Sequence, residues 1–178
     1  WWTETIPGVR PHRNAEQTGW IESGRECQQE LARTAAYQSL PHGPIHADLF
    51  RDNVMFDGPT LSGFFDFYFA GCDTFLFDIA VCLNDWCIDL ATGALEPARA
   101  QAFVAAYDAE RRLTDAELTL LPALLRAAAL RFWTSRLWDF HLPRDAAMLQ
   151  AHDPTHFERV LTLRRQQPWS YSRQAPTT

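Results

Sequence analysis

Lysine is absent from this chain of 178 residues, and all 16 of its basic residues are arginine. No residue can therefore be the lysine that pairs with nucleotide phosphates in phosphate-transferring sites. The 8 glycines are scattered and form no glycine-rich phosphate loop. The four cysteines are irregularly spaced, form no Cys-x-x-Cys pair and predict reduced thiols and packing residues.

Long apolar runs and excess positive charge are also missing. No apolar segment approaches the roughly 18 residues of a membrane-spanning helix, and no signal peptide is recognisable. The net charge of −6 argues against a nucleic-acid binder that works by neutralising phosphates. Hydrophobic residues make up 47% of the chain, enough for a core. We therefore expect a cytoplasmic protein that binds neither nucleic acid nor membrane, and a chain that forms one domain or one lobe.

Helical periodicity covers most of the chain. We expect helices over residues 15–39, 75–91, 97–110, 123–140 and 155–167. Residues 114–117 and 155–158 have the spacing of capping boxes. The first box should begin a further helix, which Pro122 should break or kink. We expect loops over residues 1–14 and 70–74, a flexible tail over 168–178, and three core tryptophans, Trp86, Trp133 and Trp138.

One β-hairpin is expected in the middle of these helices. Its strands run over residues 54–56 and 61–67, with the turn at Asp57-Gly58. This pairing would put Asn53 and Asp66 at matching ends of the two strands. The sequence thus predicts a mainly α fold with one inserted hairpin.

The segment just before the hairpin combines residue types used in phosphoryl transfer. His46 and Asp48 are followed by Asn53 five residues after the Asp, and Asp66 comes thirteen residues later. In phosphoryl transfer an Asp accepts the proton of the attacking hydroxyl, while an Asn and a second Asp hold Mg²⁺ against the nucleotide phosphates. The spacing therefore predicts one base and two metal ligands.

These residues resemble the signature of the aminoglycoside phosphotransferase and choline kinase group, which are relatives of protein kinases. The signature H-x-D-x-x-x-x-N is present at residues 46–53, and the later D-x-A pattern is present at residues 78–80. Within the group, residues 40 to about 161 most resemble the homoserine kinases of threonine biosynthesis. The segments that carry this narrower resemblance are FDFYFA, NDWC and RFWTSRL.

The resemblance implies a fold and a reaction. The fold is the C-terminal lobe of a protein-kinase-like α+β structure, here spanning residues 1–178, without the N-terminal lobe that covers the nucleotide. The reaction is ATP-dependent transfer of a phosphoryl group to the hydroxyl of homoserine, with Mg²⁺. We expect the chain to be a segment of a longer protein and to be inactive as an isolated lobe.

The resemblance also implies roles for individual residues. Asp48 is the expected base, and Asn53 and Asp66 are the expected Mg²⁺ ligands. His46 is expected to shape the catalytic loop, and Asp78 to hold that loop by accepting backbone N–H bonds. Turn, strand-end and helix-terminal positions are the alternative explanations for these polar residues.

The substrate contacts are less defined. Homoserine carries a carboxylate and an ammonium group, so its site needs a cation and an anion. Arg131 or Arg136 is the expected cation, preferably through a two-pronged contact. Asp85, with Asn84 as a second candidate, is the expected anion, and Arg51 could approach phosphate or the carboxylate. Salt bridges within the protein explain the charged residues equally well.

Two other functions remain open from the sequence. The chain could belong to a kinase of another small hydroxyl compound, such as a choline-like or aminoglycoside-like substrate. It could also be a non-catalytic lobe that binds a partner. A lobe separated from its other half exposes the apolar surface between them, so self-association through that face is expected.

Overall fold

A computed structural model describes residues 2–142 and 152–173. Its helices are α1 (Trp2–Val9), α2 (Ala15–Ala32), α3 (Ala35–Gln38), α4 (Phe75–Trp86), α5 (Pro97–Glu110), α6 (Asp115–His141) and α7 (Thr155–Gln166). Its strands are β1 (His42–Ile45), β2 (Val54–Asp57), β3 (Thr60–Phe64) and β4 (Gly71–Thr74). The mainly helical fold expected from the sequence is confirmed.

The core lies around α6, against which α4, α7 and α1 pack. Trp133, Leu121 and Leu125 of this helix are fully buried. Of the two outcomes expected at Pro122, a break or a kink, the break is wrong, because α6 continues through this residue. A proline inside a helix costs about 3 kcal/mol, and burial of the neighbouring leucines offsets that cost.

The prediction of a loop over residues 1–14 is also wrong. Helix α1 and a 3₁₀ turn over Arg10–His12 occupy most of it. Val9 is fully buried, and a Cβ added at Gly8 would overlap the ring of Trp138. Packing on α6 therefore overrides the weak local propensity that Pro7 and Gly8 confer.

The hairpin is confirmed, but its turn lies at Gly58-Pro59 and not at Asp57-Gly58, and its second strand ends at Phe64 and not at residue 67. Strands β2 and β3 pair antiparallel, with Val54 opposite Phe64. The backbone N–H of Phe65 extends the pairing by donating to the carbonyl of Asn53, at 3.1 Å. Asn53 therefore stands directly before one strand, and Asp66 follows the end of the other.

A second two-stranded sheet was not expected. Strand β4 occupies residues 71–74, for which the sequence predicts a loop, and it pairs antiparallel with β1. Gly43 permits this arrangement, since a Cβ there would overlap the ring of Phe75. The sheet holds the start of the segment 46–53 beside the start of α4. Both segments contribute residues to the candidate active site.

Several helix ends differ from the predictions. The helix over 15–39 is divided at Arg33, because Thr34 caps a separate α3. Helix α4 ends at Trp86 and does not reach residue 91. The first capping box is confirmed between Thr114 and Glu117, and α5 begins at Pro97 as expected.

The second capping box is wrong, because Thr155 lies inside α7. Asp153 takes its place by accepting hydrogen bonds from the backbone N–H and hydroxyl of Thr155, at 2.9 and 2.6 Å. The predicted flexible tail is wrong for residues 168–173, and residues 174–178 lie outside the described range. Tyr171 is buried, and Arg173 forms a two-pronged contact with Asp108, at 2.9 and 3.0 Å.

The three tryptophans differ in burial: Trp133 is fully buried, whereas Trp86 and Trp138 are partly buried against the core. In the described part of the chain, every helix is too short or too polar to cross a bilayer.

Candidate active site

The segment 46–53, here called the catalytic loop, runs from the end of β1 to the start of β2. Across the described ranges 2–142 and 152–173, Ala47 and Asp66 are the only non-glycine residues with positive φ, at 63° and 58°. This conformation costs about 1–2 kcal/mol for a residue with a side chain. Such strain persists only where surrounding contacts impose it, and both residues adjoin the expected chemistry.

Asp78 holds the strained end of the loop. From the first turn of α4, its two carboxylate oxygens accept the backbone N–H groups of His46 and Ala47, at 2.8 and 2.7 Å. Hydrogen bonds to a charged acceptor contribute about 1.5–3 kcal/mol each. These are the backbone contacts that the sequence led us to expect of Asp78.

Arg131 of α6 holds the same peptide from the other side. Its Nη1 donates to the carbonyl of Ala47, at 2.6 Å. Its guanidinium stacks over the rings of Phe132 and Phe69, with 4.5 and 4.9 Å to the centroids. Burial lowers the pKa of Arg131 while Asp48 and Asp78 oppose that shift. The side chain is thus committed to supporting the loop.

One face of α4 supports the rest of the loop. The indole of Trp86 and the thiol of Cys82 both donate to the carbonyl of Leu49, at 3.0 and 3.6 Å. Asp85, on the same face, accepts the backbone N–H of Arg51, at 2.8 Å. The chain fold therefore fixes the loop along most of its length.

His46 joins the loop to the segment that carries Asp66. Its Nε2 lies 2.9 Å from the carbonyl of Phe65, and a carbonyl can only accept, so this nitrogen carries the proton. The imidazole also packs on Phe67, with 4.8 Å between ring centroids. These contacts fit a loop-shaping role for His46.

Asn53 contacts the expected base directly. Its Nδ2 donates to the backbone carbonyl of Asp48, at 2.7 Å, and lies 3.5 Å from Asp48 Oδ2. Because the amide nitrogen takes this bond, Oδ1 of the same amide faces away from it. Asp66 stands exposed beyond the paired strands, and its charge acts on Asp48.

The carboxyl of Asp48 is only partly solvated. Its Oδ1 is buried and has no hydrogen-bond partner among the described residues. Burial raises the pKa of Asp48 to about 6, although the charges of Arg131 and Arg136 oppose the shift. A carboxylate with one unsatisfied oxygen is suited to accept a proton from a bound hydroxyl.

The donor set fits Mg²⁺. Asn53 and Asp66 present an amide oxygen and a carboxylate, the hard oxygen ligands that this cation prefers. Mg²⁺ takes few protein ligands and completes its shell with water and phosphate oxygens. An amide oxygen and a carboxylate could therefore hold the cation together with water and phosphate oxygens.

Several residues that the sequence predicts to bind the substrate have partners within the protein instead. Arg51 and Asp85 form a two-pronged ion pair with each other, at 3.0 and 3.1 Å. Asn84 cannot meet an ammonium group in this region, because it is fully buried and binds Leu125 and Arg164 instead, both at 2.8 Å. That expectation for Asn84 is wrong.

Trp86 is the loop contact that sequence reasoning missed, since it was assigned to the core. The signal was present in the spacing of Asp78, Cys82, Asp85 and Trp86. Residues at i, i+4, i+7 and i+8 share one helix face, and all four contact the loop. The carboxylate of Asp78, the first residue of that face, indicated that the face is directed toward the polar loop.

A broad aromatic and aliphatic surface adjoins the site. Its exposed members all lie between residues 55 and 69: Met55, Phe56, Leu61, Phe64, Phe65, Phe67, Tyr68 and Phe69. We call this set the aromatic face. Tyr68 is 77% exposed, more than any other member. A concentration of exposed apolar side chains next to a polar site is typical of an interaction surface.

Comparison with known proteins gives concordant results. Residues 7–115 match the Phosphotransferase enzyme family, a range that contains the whole catalytic loop, Asp66 and Asp78. The chain is 63% identical over 169 residues to a homoserine kinase of Polaromonas naphthalenivorans. It is 55% and 54% identical, each over 167 residues, to homoserine kinases of Ralstonia nicotianae and a Janthinobacterium species.

The chain spans about half the length of these relatives. The matches cover 95%, 90% and 94% of the chain but only 54%, 50% and 52% of the three relatives, in the same order.

Proposed function

The chain belongs to the phosphotransferase enzyme family, and on that basis we propose that it is the catalytic lobe of an ATP-dependent homoserine kinase. The full-length protein that would contain it is called the parent below. The observation that carries the proposal is the convergence of Asp48, Asn53 and Asp66 at the ends of the β2–β3 pair. Relatives named homoserine kinase, at 53–63% identity, support the choice of substrate.

In the proposed reaction, Asp48 receives the proton of the homoserine hydroxyl as its oxygen attacks the γ-phosphoryl group of ATP. Asn53 orients Asp48 by binding its backbone carbonyl. Asp78 and Arg131 hold Ala47 so that the Asp48 side chain stays directed at the reaction centre. Most of the rate enhancement comes from this positioning, which fixes the base relative to the hydroxyl before reaction.

Asn53 and Asp66 would hold Mg²⁺. The cation supplies positive charge that neutralises the phosphate oxygens during transfer. Both residues belong to the C-terminal lobe of the proposed kinase. The lysine that pairs with phosphates cannot come from this chain, so the rest of the parent must supply it.

A phosphorylation assay of the parent, with equal concentrations of homoserine, choline and an aminoglycoside, tests this proposal. We expect homoserine to give the highest kcat/KM by at least about 100-fold, since a site built for a substrate's polar groups rejects compounds that lack them. Preferential turnover of choline or the aminoglycoside would support the alternative, a kinase of another small hydroxyl compound. Absence of turnover with all three would support a non-catalytic lobe.

The reduced state of the cysteines fits a cytoplasmic location, which we propose for the parent. All four thiols are free, and burial raises the pKa of Cys82 and raises that of Cys87 to about 11. Thiols with raised pKa values react slowly, because the thiolate is the reactive form.

We expect the isolated chain to self-associate through the aromatic face, which in the parent would adjoin the other half. Replacing Phe67 and Tyr68 by Ser should shift the isolated chain toward monomer, because these side chains are 59% and 77% exposed. Light scattering across a concentration series measures this. A matched control replaces the exposed Leu90 and Phe140, which lie outside the face, and a monomeric unmodified chain at high concentration would contradict the expectation.

A further inference from the structure

A cavity of about 410 Å³ lies beside the catalytic loop, between the end of α4, the C-terminal half of α6 and the start of α7. Its volume falls in the range of small-molecule sites. The loop contributes Arg51 and Asp52, α4 contributes Asp85, and α6 contributes Arg136. The cavity is therefore lined by both signs of charge.

Two of these charged residues, Arg51 and Asp85, form an ion pair with each other. Arg51 binds both carboxylate oxygens of Asp85, and the pair is only partly exposed, at 34% and 16% for the two side chains. A ligand that recruited either residue would have to break a two-pronged contact first. The pair therefore forms a wall of the cavity, and Arg131 is engaged with Ala47 and its aromatic neighbours.

Arg136 differs from the other arginines near the loop. Within residues 2–142 and 152–173, it takes part in no hydrogen bond or ion pair, although it is half-buried in the cavity wall. Its charge also acts on Asp48, so the cavity adjoins the base. A guanidinium held in a cavity beside a reaction centre offers a planar fork that matches a carboxylate.

Asp52 is the matching anion. It stands on the catalytic loop four residues after Asp48, lines the same cavity, and its carboxylate makes no hydrogen bond within the described ranges. The other carboxylates of the cavity are occupied, Asp85 by Arg51 and Asp153 by the first residue of α7. One unengaged cation and one unengaged anion in a small cavity suit a zwitterion.

We propose that this cavity binds the amino-acid end of the substrate, with Arg136 on the carboxylate and Asp52 on the ammonium group. The inference rests on the proposed function, because it deepens the substrate site of that reaction. It reassigns the expected roles: Arg136 alone serves as the cation, Asp52 replaces Asp85 as the anion, and Arg51 and Arg131 shape the protein.

The test compares three alcohols in the parent: homoserine, 3-aminopropan-1-ol, which lacks the carboxylate, and 4-hydroxybutanoate, which lacks the ammonium group. Arg136→Ala should lower kcat/KM about 100-fold more for homoserine than for 3-aminopropan-1-ol, because the carboxylate contact is lost only with homoserine. The loss of its charge beside Asp48 affects both alcohols alike and cancels in this ratio. Arg136→Lys should give an intermediate loss, since it keeps the charge without the fork. Arg126→Ala, on the same helix outside the cavity, is the matched control.

Asp52→Asn tests the ammonium contact independently of the carboxylate contact. It should lower kcat/KM about tenfold or more for homoserine relative to 4-hydroxybutanoate, because the ammonium contact is lost only with homoserine. Equal losses with all three alcohols, or full homoserine selectivity in Arg136→Ala, would overturn the inference while leaving the proposed function intact. If the unmodified parent does not phosphorylate homoserine, the proposed function fails and the inference falls with it.

Discussion

Asp48→Asn is expected to lower kcat of the parent about 10³-fold with little change in KM for either substrate. The amide cannot accept the hydroxyl proton, and general-base catalysis contributes about 10²–10⁴-fold. The change is isosteric, so the Asn53 contact to the Asp48 backbone carbonyl should persist. Steady-state kinetics with homoserine at saturating ATP and Mg²⁺ measure the effect.

The matched control is Asp115→Asn, an exposed carboxylate at the start of α6, which should leave kcat unchanged. Activity within tenfold of the unmodified protein in Asp48→Asn would remove Asp48 as the base. Asp48 would then serve to orient the hydroxyl, and the hydroxyl proton would pass to an oxygen of the transferred phosphoryl group.

Asp48→Asn should lower activity but raise the free energy of unfolding. Burial raises the pKa of Asp48 from 3.8 to about 6, so the folded state binds this proton more tightly than the unfolded state. The ionised carboxylate therefore destabilises the fold above pH about 6, an effect that fades as pH falls toward 3.8. We expect Asp48→Asn to gain about 1 kcal/mol at pH 7.5, since solvent screens a partly exposed group.

Denaturant unfolding in the presence of a chelator measures this gain at pH 7.5 and again at pH 4, where it should vanish. A lower stability of Asp48→Asn at pH 7.5 would mean that the carboxylate is better satisfied than its buried Oδ1 indicates.

Asp78→Asn is expected to lower the free energy of unfolding by about 2–3 kcal/mol and kcat about 100-fold. The carboxylate accepts two backbone N–H groups, whereas an amide can accept only one and turns its own NH₂ toward the other. The strained Ala47 would lose half of its support on that side, so the orientation of Asp48 would be lost with it.

The size of the effect separates two explanations of Asp78. A carboxylate that only complements the dipole of α4 contributes about 0.3–1 kcal/mol. Asp115→Asn measures such a contribution at α6 and serves as the control. Equal losses for the two variants, with kcat retained in Asp78→Asn, would show that the backbone contacts do not support the loop.

The hairpin, the capping box at Thr114 and the residues of the catalytic loop could be predicted because each depends on local features. Turn residues, capping residues and motif spacing act over a few positions, and these are visible in one sequence. The placement of Asn53 and Asp66 near neighbouring strand ends followed from the pairing of two adjacent strands. The register shift between Met55 and Phe56, which sets their exact positions, was not predicted.

Helix α1, the course of α6 through Pro122 and strand β4 could not be predicted, because their local sequences favour loops or breaks. Contacts with distant residues stabilise them: α1 packs on α6, and β4 pairs with β1 about thirty residues away. Long-range contacts of this kind outweigh propensities of less than about 1 kcal/mol per residue, and outweigh the larger penalty of a proline when enough apolar surface is buried.

The sequence alone determined which residues are proposed to carry the chemistry, because residue type and spacing single out Asp48, Asn53 and Asp66. It could not decide among Arg51, Arg131 and Arg136, because three arginine side chains of equal charge are indistinguishable until their partners are known. Only the tertiary structure distinguishes them, by pairing Arg51 with Asp85 and Arg131 with Ala47, and by leaving Arg136 in the wall of the cavity near Asp48. Motif chemistry is local, whereas the availability of a charge depends on every element packed around it.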